Sequence, residues 1–268
     1  MTPFQRIVKY LAVAFALFLV ISIFSGIFGA LGLVSGLVGS EPAGETRSYP
    51  VTGEIENLDL EISAAALKII PGDHFSVESN HKYLQVAEKD GTLKISEEKV
   101  LFGASSEGIS VVLTVPEGFR FRSASLETGA GKVDITQLAA DNLSLDLGAG
   151  AAQIDSLTAA NRCEIDTGTG KVSIGSSELH DLRLSLGVGK LELAGSITGK
   201  SSVDFGVGGG DLTLTGSKED YQIHLDKGIG DATVDGMVLG DGGVYGSGSN
   251  RIDIDGGIGS ISIRFQPG

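Results

Sequence analysis

From residue 49 onward the chain alternates apolar and polar residues in short runs broken by glycine, and helical spacing is almost absent. Period-two alternation of this kind predicts half-buried strands. A G-x-G triplet recurs seven times within it: Gly129/Gly131, Gly148/Gly150, Gly168/Gly170, Gly187/Gly189, Gly206/Gly208, Gly228/Gly230 and Gly257/Gly259. The first glycines are separated by 19, 20, 19, 19, 22 and 29 residues, and the last gap holds the glycine-rich stretch 240–248. Three residues before each first glycine stand Leu126, Leu145, Ile165, Leu184, Val203, Leu225 and Ile254. Six residues after it stand Ile135, Ile154, Ile174, Leu193, Leu212, Val234 and Ile263. All fourteen are aliphatic. Each repeat therefore reads as strand, glycine bend, strand and corner.

One such unit cannot bury its apolar row. Equivalent strands stacked about 4.8 Å apart bury a continuous aliphatic column. The expected fold is all-β: a parallel β-solenoid with about 20 residues per coil. The two glycines answer a bend that needs positive φ, or a backbone approach too close for a Cβ. A G-x-G triplet can also cradle phosphate, but no helical pattern follows any copy. The segment from Leu58 to Ile69 keeps the alternation with alanines at the bend, as a degenerate opening coil. Leu84–Val86 and Leu93–Ile95 flank Lys89-Asp90-Gly91, which predicts a hairpin. Solenoid ends need covering, so residues 49–100 are expected to include one cap and 261–267 to close the other end.

Ahead of the repeats, residues 10–39 carry no charge. As a helix they would run about 45 Å against a hydrocarbon core of roughly 30 Å. The run is about twice a signal-peptide core and no A-x-A site closes it, which favours an uncleaved anchor. Arg6 and Lys9 precede it and Glu41 and Glu45 follow it. The positive flank predicts a cytoplasmic stretch 1–9, an anchor 10–39, a linker 40–48 and an extracytoplasmic solenoid 49–268. Gly32 and Gly36 match the small-residue spacing of packed membrane helices, although glycine is common in such helices anyway. The 268 residues hold 34 acidic and 20 basic side chains, a net charge of −14, and the two basic residues of the first 39 leave −16 on the outer part. Nucleic acid is excluded as a partner for want of a basic footprint. The 40 glycines argue against a mainly helical body, and the single cysteine excludes an intrachain disulfide or a cysteine-based zinc site.

The L-x-I segment at Leu67–Ile69, the element Asp90-Gly91-Thr-Leu93-Lys-Ile95 and the closing Gly257-Ile-Gly259-Ser-Ile-Ser-Ile263 add to the repeated L-x-L-x-x-G-x-G pattern. Together, behind one N-terminal membrane segment, they resemble a bacterial family of adhesin candidates built from β-strand repeats, of unknown function. The resemblance covers about residue 50 to the end. It implies a cell-envelope protein, with some members tied to envelope-stress regulation, and it supplies no catalytic residues.

Two residues before each glycine pair stand Glu127, Asp146, Asp166, Ser185, Asp204, Asp226 and Asp255. These positions are expected to face outward or into the bend, because their neighbours one step earlier face inward. Stacking makes a column of like charges about 5 Å apart, unfavourable unless compensated. Hydrogen bonds from bend N–H groups are the first-ranked compensation, since the acid tracks the bend. Lys132, Lys171 and Lys190 offer a second, and a divalent cation between coils a third and weaker one. The step of about 19 residues disfavours a calcium roll, which needs nine. His74, His81, His180 and His224 have no metal-site spacing, His224 falls in an outward, solvated slot, and Cys163 matches inward aliphatic positions. No catalytic set, cofactor site or resident metal is expected.

The leading expectation is a non-enzymatic, membrane-anchored envelope protein whose rigid acidic β surface binds or adheres to cell-wall polymer or an envelope protein. An accessory or sensor role in envelope-stress regulation is the alternative. A glycan-cleaving β-helix enzyme ranks last, because short uniform coils build no groove walls. Self-association of the chain stands as a further partner class beside cell-wall polymer and envelope protein.

Overall fold

The structure, a computed structural model, describes residues 44–97 and 108–267. The expected cytoplasmic stretch and membrane anchor lie outside the described residues. Among the described residues no helix is long and apolar enough to cross a membrane.

The described chain is all-β and solenoid-like, with its strands in one sixteen-stranded sheet. The repeated aliphatics determine its register. Ile165 lies beside Leu184 and Ile174 beside Leu193; Leu184 lies beside Val203 and Leu193 beside Leu212. All fourteen spokes are buried, none more than 3 % exposed. The column continues at the front end, where Leu60 pairs with Leu126 and Ile69 with Ile135. Burial of each such side chain contributes about 1.5–3 kcal/mol relative to exposure, so the column is the main source of cohesion.

The bend follows from close backbone stacking. The second glycine of each triplet has positive φ, 145° at Gly170 for example. A Cβ on Gly170 would also meet the carbonyl oxygen of Gly150 at 1.7 Å. The first glycine, Gly228 (φ 62°) excepted, is excluded from carrying a side chain by approach alone: a Cβ on Gly168 would sit 2.3 Å from the oxygen of Gly148.

The expected division of each repeat into strand, bend and strand is corrected in one respect: most of the glycines turn the chain without ending the strand. Gly129/Gly131, Gly148/Gly150 and Gly168/Gly170 lie inside the long run Phe121–His180. Gly187 and Gly189 lie inside Leu182–Thr198, and Gly206 and Gly208 inside Lys200–Thr215. Gly189 is not a break between two strands but a paired strand residue, beside Gly170 on one coil and Gly208 on the next. The physical reason is that neighbouring coils turn at the same residue, so backbone pairing between them continues around the corner. Gly257 likewise lies inside Asn250–Ile258, and Gly259 follows directly after it. Gly228 and Gly230 do separate two strands, Tyr221–Asp226 and Ala232–Val234.

At both ends, spatial order departs from sequence order. Lys200–Thr215 does not pair with the next repeat. It pairs instead with the last one, Asn250–Ile258 and Ile261–Gln266. The intervening repeat, Tyr221–Asp226 with Ala232–Val234, lies on the far side of that last coil. The coil expected to close the end is therefore enclosed between two others. The front end mirrors this. Asn57–Ala64 lies between Thr92–Glu97 and the start of Phe121–His180, and Ala66–Gly72 lies between Ser110–Pro116 and the same long strand run. The coil nearest each chain end thus gains two flanking coils, where a terminal position would give one.

The outermost coils are covered by antiparallel strands, which blunt the open edges. Ser76–Ser79 pairs with Ser110–Pro116 and is itself covered by Arg47–Pro50, whose first two residues fall in the stretch expected to be a linker. Leu84–Lys89 covers Thr92–Glu97, with the expected turn at Asp90 (φ 49°) and Gly91 (φ 72°). At the other end Gly243–Gly246 covers Tyr221–Asp226, and Met237–Val238 folds back on Thr233–Val234. The two-residue loop of that hairpin, Asp235 and Gly236, has φ of 47° and 76°, as a type I′ turn requires.

Candidate functional site

Each coil presents two outward flanks on either side of its glycine bend. The flank ahead of the bend carries the acidic row. Pairing places Asp166 beside Ser185, Ser185 beside Asp204, Asp204 beside Asp255 and Asp255 beside Asp226. Glu127 continues the row toward Glu61. Because the last two repeats are interchanged, Asp255 sits between two other aspartates, a neighbourhood that sequence order does not give. Ser185 is the single break in the row. All these side chains are exposed. Asp146, Asp166, Asp204 and Asp255 line one shallow depression of about 600 Å³.

The first-ranked compensation is not the one observed. Among the described residues the carboxylates of Asp146, Asp166, Asp204, Asp226 and Asp255 accept no hydrogen bond from the bend and form no ion pair. Partial burial, with the charge of Asp255 second, raises the Asp204 carboxyl above its usual range. Among the described residues no group of histidine, cysteine and carboxylate side chains is arranged to hold a metal ion.

The lysines serve the opposite flank. Lys132 Nζ lies 2.7 Å from Asp134, and Lys171 Nζ 2.8 Å from Glu192. Lys190 Nζ bridges Glu192 at 2.9 Å and Asp211 at 3.1 Å. Hydrogen bonds from Lys171, then Lys190, hold the Glu192 carboxyl down to about 2. The flank after the bend thus carries ion pairs between coils, whereas before the bend Glu61 at the front end is paired with Lys94 at 3.3 Å and the aspartates from Asp146 to Asp226 stand as an unpaired column. The reason the sequence misleads is geometric: three residues after the first glycine the chain has turned the corner, so Lys132, Lys171 and Lys190 face away from the acids.

The middle residue of each triplet stands on the corner between the flanks, as Val188 does between Gly187 and Gly189. Thr169 pairs with Val188, Val188 with Val207, Val207 with Ile258, and Ile258 with Ile229. Val188 and Ile229 are 41 % and 46 % exposed, and Val207 and Ile258 are half-buried. This apolar ridge was not singled out from the sequence. Its signal is the drift of the middle residue from Ala130 and Ala149 to valine and isoleucine in the later repeats.

Cys163 is fully buried, and desolvation pushes its thiol up to about 12, which suits a packing role and opposes nucleophilic use. His224 departs from expectation. It is only half-exposed, and its Nε2 is buried without a hydrogen-bond partner, because Gly243–Gly246 pairs alongside with Val244 opposite His224.

Residues 55–237 match the family model described as Toastrack DUF4097. Solved structures with similarity include a candidate adhesin from Bacteroides fragilis, at 17% identity over 81% of this chain and 95% of that one, with a TM-score of 0.45. A candidate cell adhesion protein from Clostridium sporogenes is 15% identical over 83% of this chain and 99% of that one, with a TM-score of 0.35. A candidate lipid-binding protein from Parabacteroides distasonis is 14% identical over 83% and 96%, also at 0.35. No curated protein matches. With well over half of its length matched, the chain belongs to the Toastrack DUF4097 family.

Proposed function

We propose that this chain is a non-enzymatic cell-envelope protein, held to the membrane by residues 10–39, whose solenoid presents its outward face to a binding partner. The observation that carries the reading is the unpartnered carboxylate row. Asp204, Asp255 and Asp226 repeat at strand spacing, Asp166 lies one coil beyond Ser185, and all four are exposed and neutralised by nothing within the described chain. Such a row raises the folding cost and contributes no internal contact, so its use lies in what it meets outside. A flat, rigid surface with regularly spaced charge suits polymeric or protein partners better than a small substrate, which calls for a concave site. The test is binding of the full-length protein in membrane discs to cell-wall fractions and envelope proteins. Retention that weakens when Asp204, Asp255 and Asp226 become Asn supports the reading. Hydrolysis of a wall glycan that is lost on neutralising a pair of these carboxylates overturns it.

A further inference from the structure

The corner ridge and the acidic row together specify a partner chemistry. The ridge Val188–Val207–Ile258–Ile229 runs across four adjacent coils. Three residues earlier on the same coils lie Ser185, Asp204, Asp255 and Asp226. On the ridge's other side, Asp231 is exposed next to Gly230, while Lys190 is engaged by Glu192 and Asp211. The result is an apolar line with uncompensated negative charge alongside it. Apolar surface of this kind, rimmed by polar groups, marks interaction sites.

We propose that this ridge docks a basic amphipathic helix of a polypeptide partner; the inference rests on the binding reading above and names its partner. Charge complementarity requires Lys or Arg beside the apolar stripe of that partner. Spacing favours a helix over a strand. Ridge residues recur about every 4.8 Å, close to the 5.4 Å turn of a helix, whereas same-face residues of a strand recur about every 6.7 Å. Over three steps a helix slips by about 2 Å and a strand by about 6 Å. The ridge spans about 14 Å, so ten helical residues cover it. An acidic or purely hydrophilic segment lacks one half of the match.

The experiment titrates a fluorescently labelled Leu/Lys amphipathic peptide of about 14 residues with the full-length protein in zwitterionic-lipid discs, read by anisotropy, with empty discs subtracted. Saturable binding is expected, about tenfold weaker for Val188→Ser with Ile229→Ser. Asp204→Asn with Asp255→Asn is expected to weaken it about fivefold and to remove most of its salt dependence. Equal binding of a Leu/Glu peptide, or binding unchanged in the ridge variant, overturns the proposal. So does a wild-type dimer in sedimentation that the ridge variant converts to monomer, since the ridge would then serve a second copy. Calorimetric melting of each variant separates lost binding from lost folding. If wall and envelope fractions are still retained while the peptide fails, the docking inference falls and the broader binding role stands. If neither binds, both fall.

Discussion

Replacing Asp255 by Asn should make the protein more stable at neutral pH. Asp255 has an aspartate on each side, Asp204 on one coil and Asp226 on the next. Carboxylates about 5 Å apart repel by roughly 0.8 kcal/mol in water, and physiological salt removes about half of that. Two neighbours therefore give roughly 1 kcal/mol, and the exposure of all three side chains argues against more. For a folded body of this size that corresponds to a rise of about 2–4 °C in Tm. Asn keeps the shape of Asp, so packing changes little. Burial and Asp255 raise the Asp204 carboxyl. A group raised in the folded state contributes stability that is present below its unfolded pKa and lost as pH rises through the folded one. The advantage of Asp255→Asn should accordingly shrink as pH falls through the carboxylate range, and shrink again at high salt. Calorimetry of the full-length protein at low and high salt, at neutral and acid pH, measures both trends. A lower Tm for the Asn variant at neutral pH, or a gain indifferent to salt, would refute the reasoning, because either result would mean that the carboxylate is satisfied within the fold. Ser185→Asp is the converse: it joins Asp166 to Asp204 and should lower Tm by a similar amount.

Gly170→Ala should cost more than about 3 kcal/mol, since its Cβ meets backbone at 1.7 Å and φ is 145°. Gly175→Ala, whose nearest atom is 3.2 Å away without positive φ, should cost far less; chemical denaturation compares them. Deleting residues 249–268 removes the coil between Lys200–Thr215 and Tyr221–Asp226, and size-exclusion chromatography should show aggregates rather than a shorter monomer. Cys163, its thiol raised to about 12 by burial, should resist iodoacetamide at mildly alkaline pH in the native protein and react once it unfolds, as mass spectrometry would record. Glu192, depressed to about 2 by Lys171 and Lys190, contributes stability above its ordinary value of about 4.3 that is lost as pH falls toward 2. Glu192→Gln should flatten that acid limb in a Tm–pH series.

Register was legible because one face of each strand is buried, and a slip of one residue would turn every spoke outward. That is why Leu126, Leu184 and Ile254 could be assigned from spacing alone. The continuity of the strands was not legible. Glycine ordinarily weakens a strand interior, and only the stacking of Gly170, Gly189 and Gly208 on one another keeps the pairing intact through the turn. Coil order was not legible either. Leu225 and Ile254 carry the same aliphatic spoke, so Val203 can neighbour either one without changing a single inward residue. The long stretch between Val234 and Asn250, with its Asp235-Gly236 turn, gives the chain room to double back, but length alone does not say that it does. The acidic row was legible as a row, and its satisfaction was not. Whether Asp166 reaches a bend N–H depends on how sharply the chain turns at Gly168, a property of stacked backbones rather than of the triplet. The lysines were misplaced for the same reason.

The two flanks of one coil set a constraint on what the acids are for. After the bend, Lys171 reaches Glu192 and Lys190 reaches Asp211 on neighbouring coils, and Lys132 pairs with Asp134 two residues along its own strand. The same architecture can therefore balance a ladder at this spacing. Before the bend it does so at the front end, where Lys94 pairs with Glu61, but the aspartates from Asp146 to Asp226 stay unpaired, although Lys, Asn or Thr would fit the same exposed pleat. A structural requirement at the bend would show as hydrogen bonds to the bend glycine N–H groups, and among the described residues the aspartates from Asp146 to Asp226 accept none. Solubility would be met by acids scattered over both flanks, without repulsion between coils. What remains is alignment itself. Negative charges held in line beside the ridge from Val188 to Ile229 concentrate the field where apolar surface is also exposed.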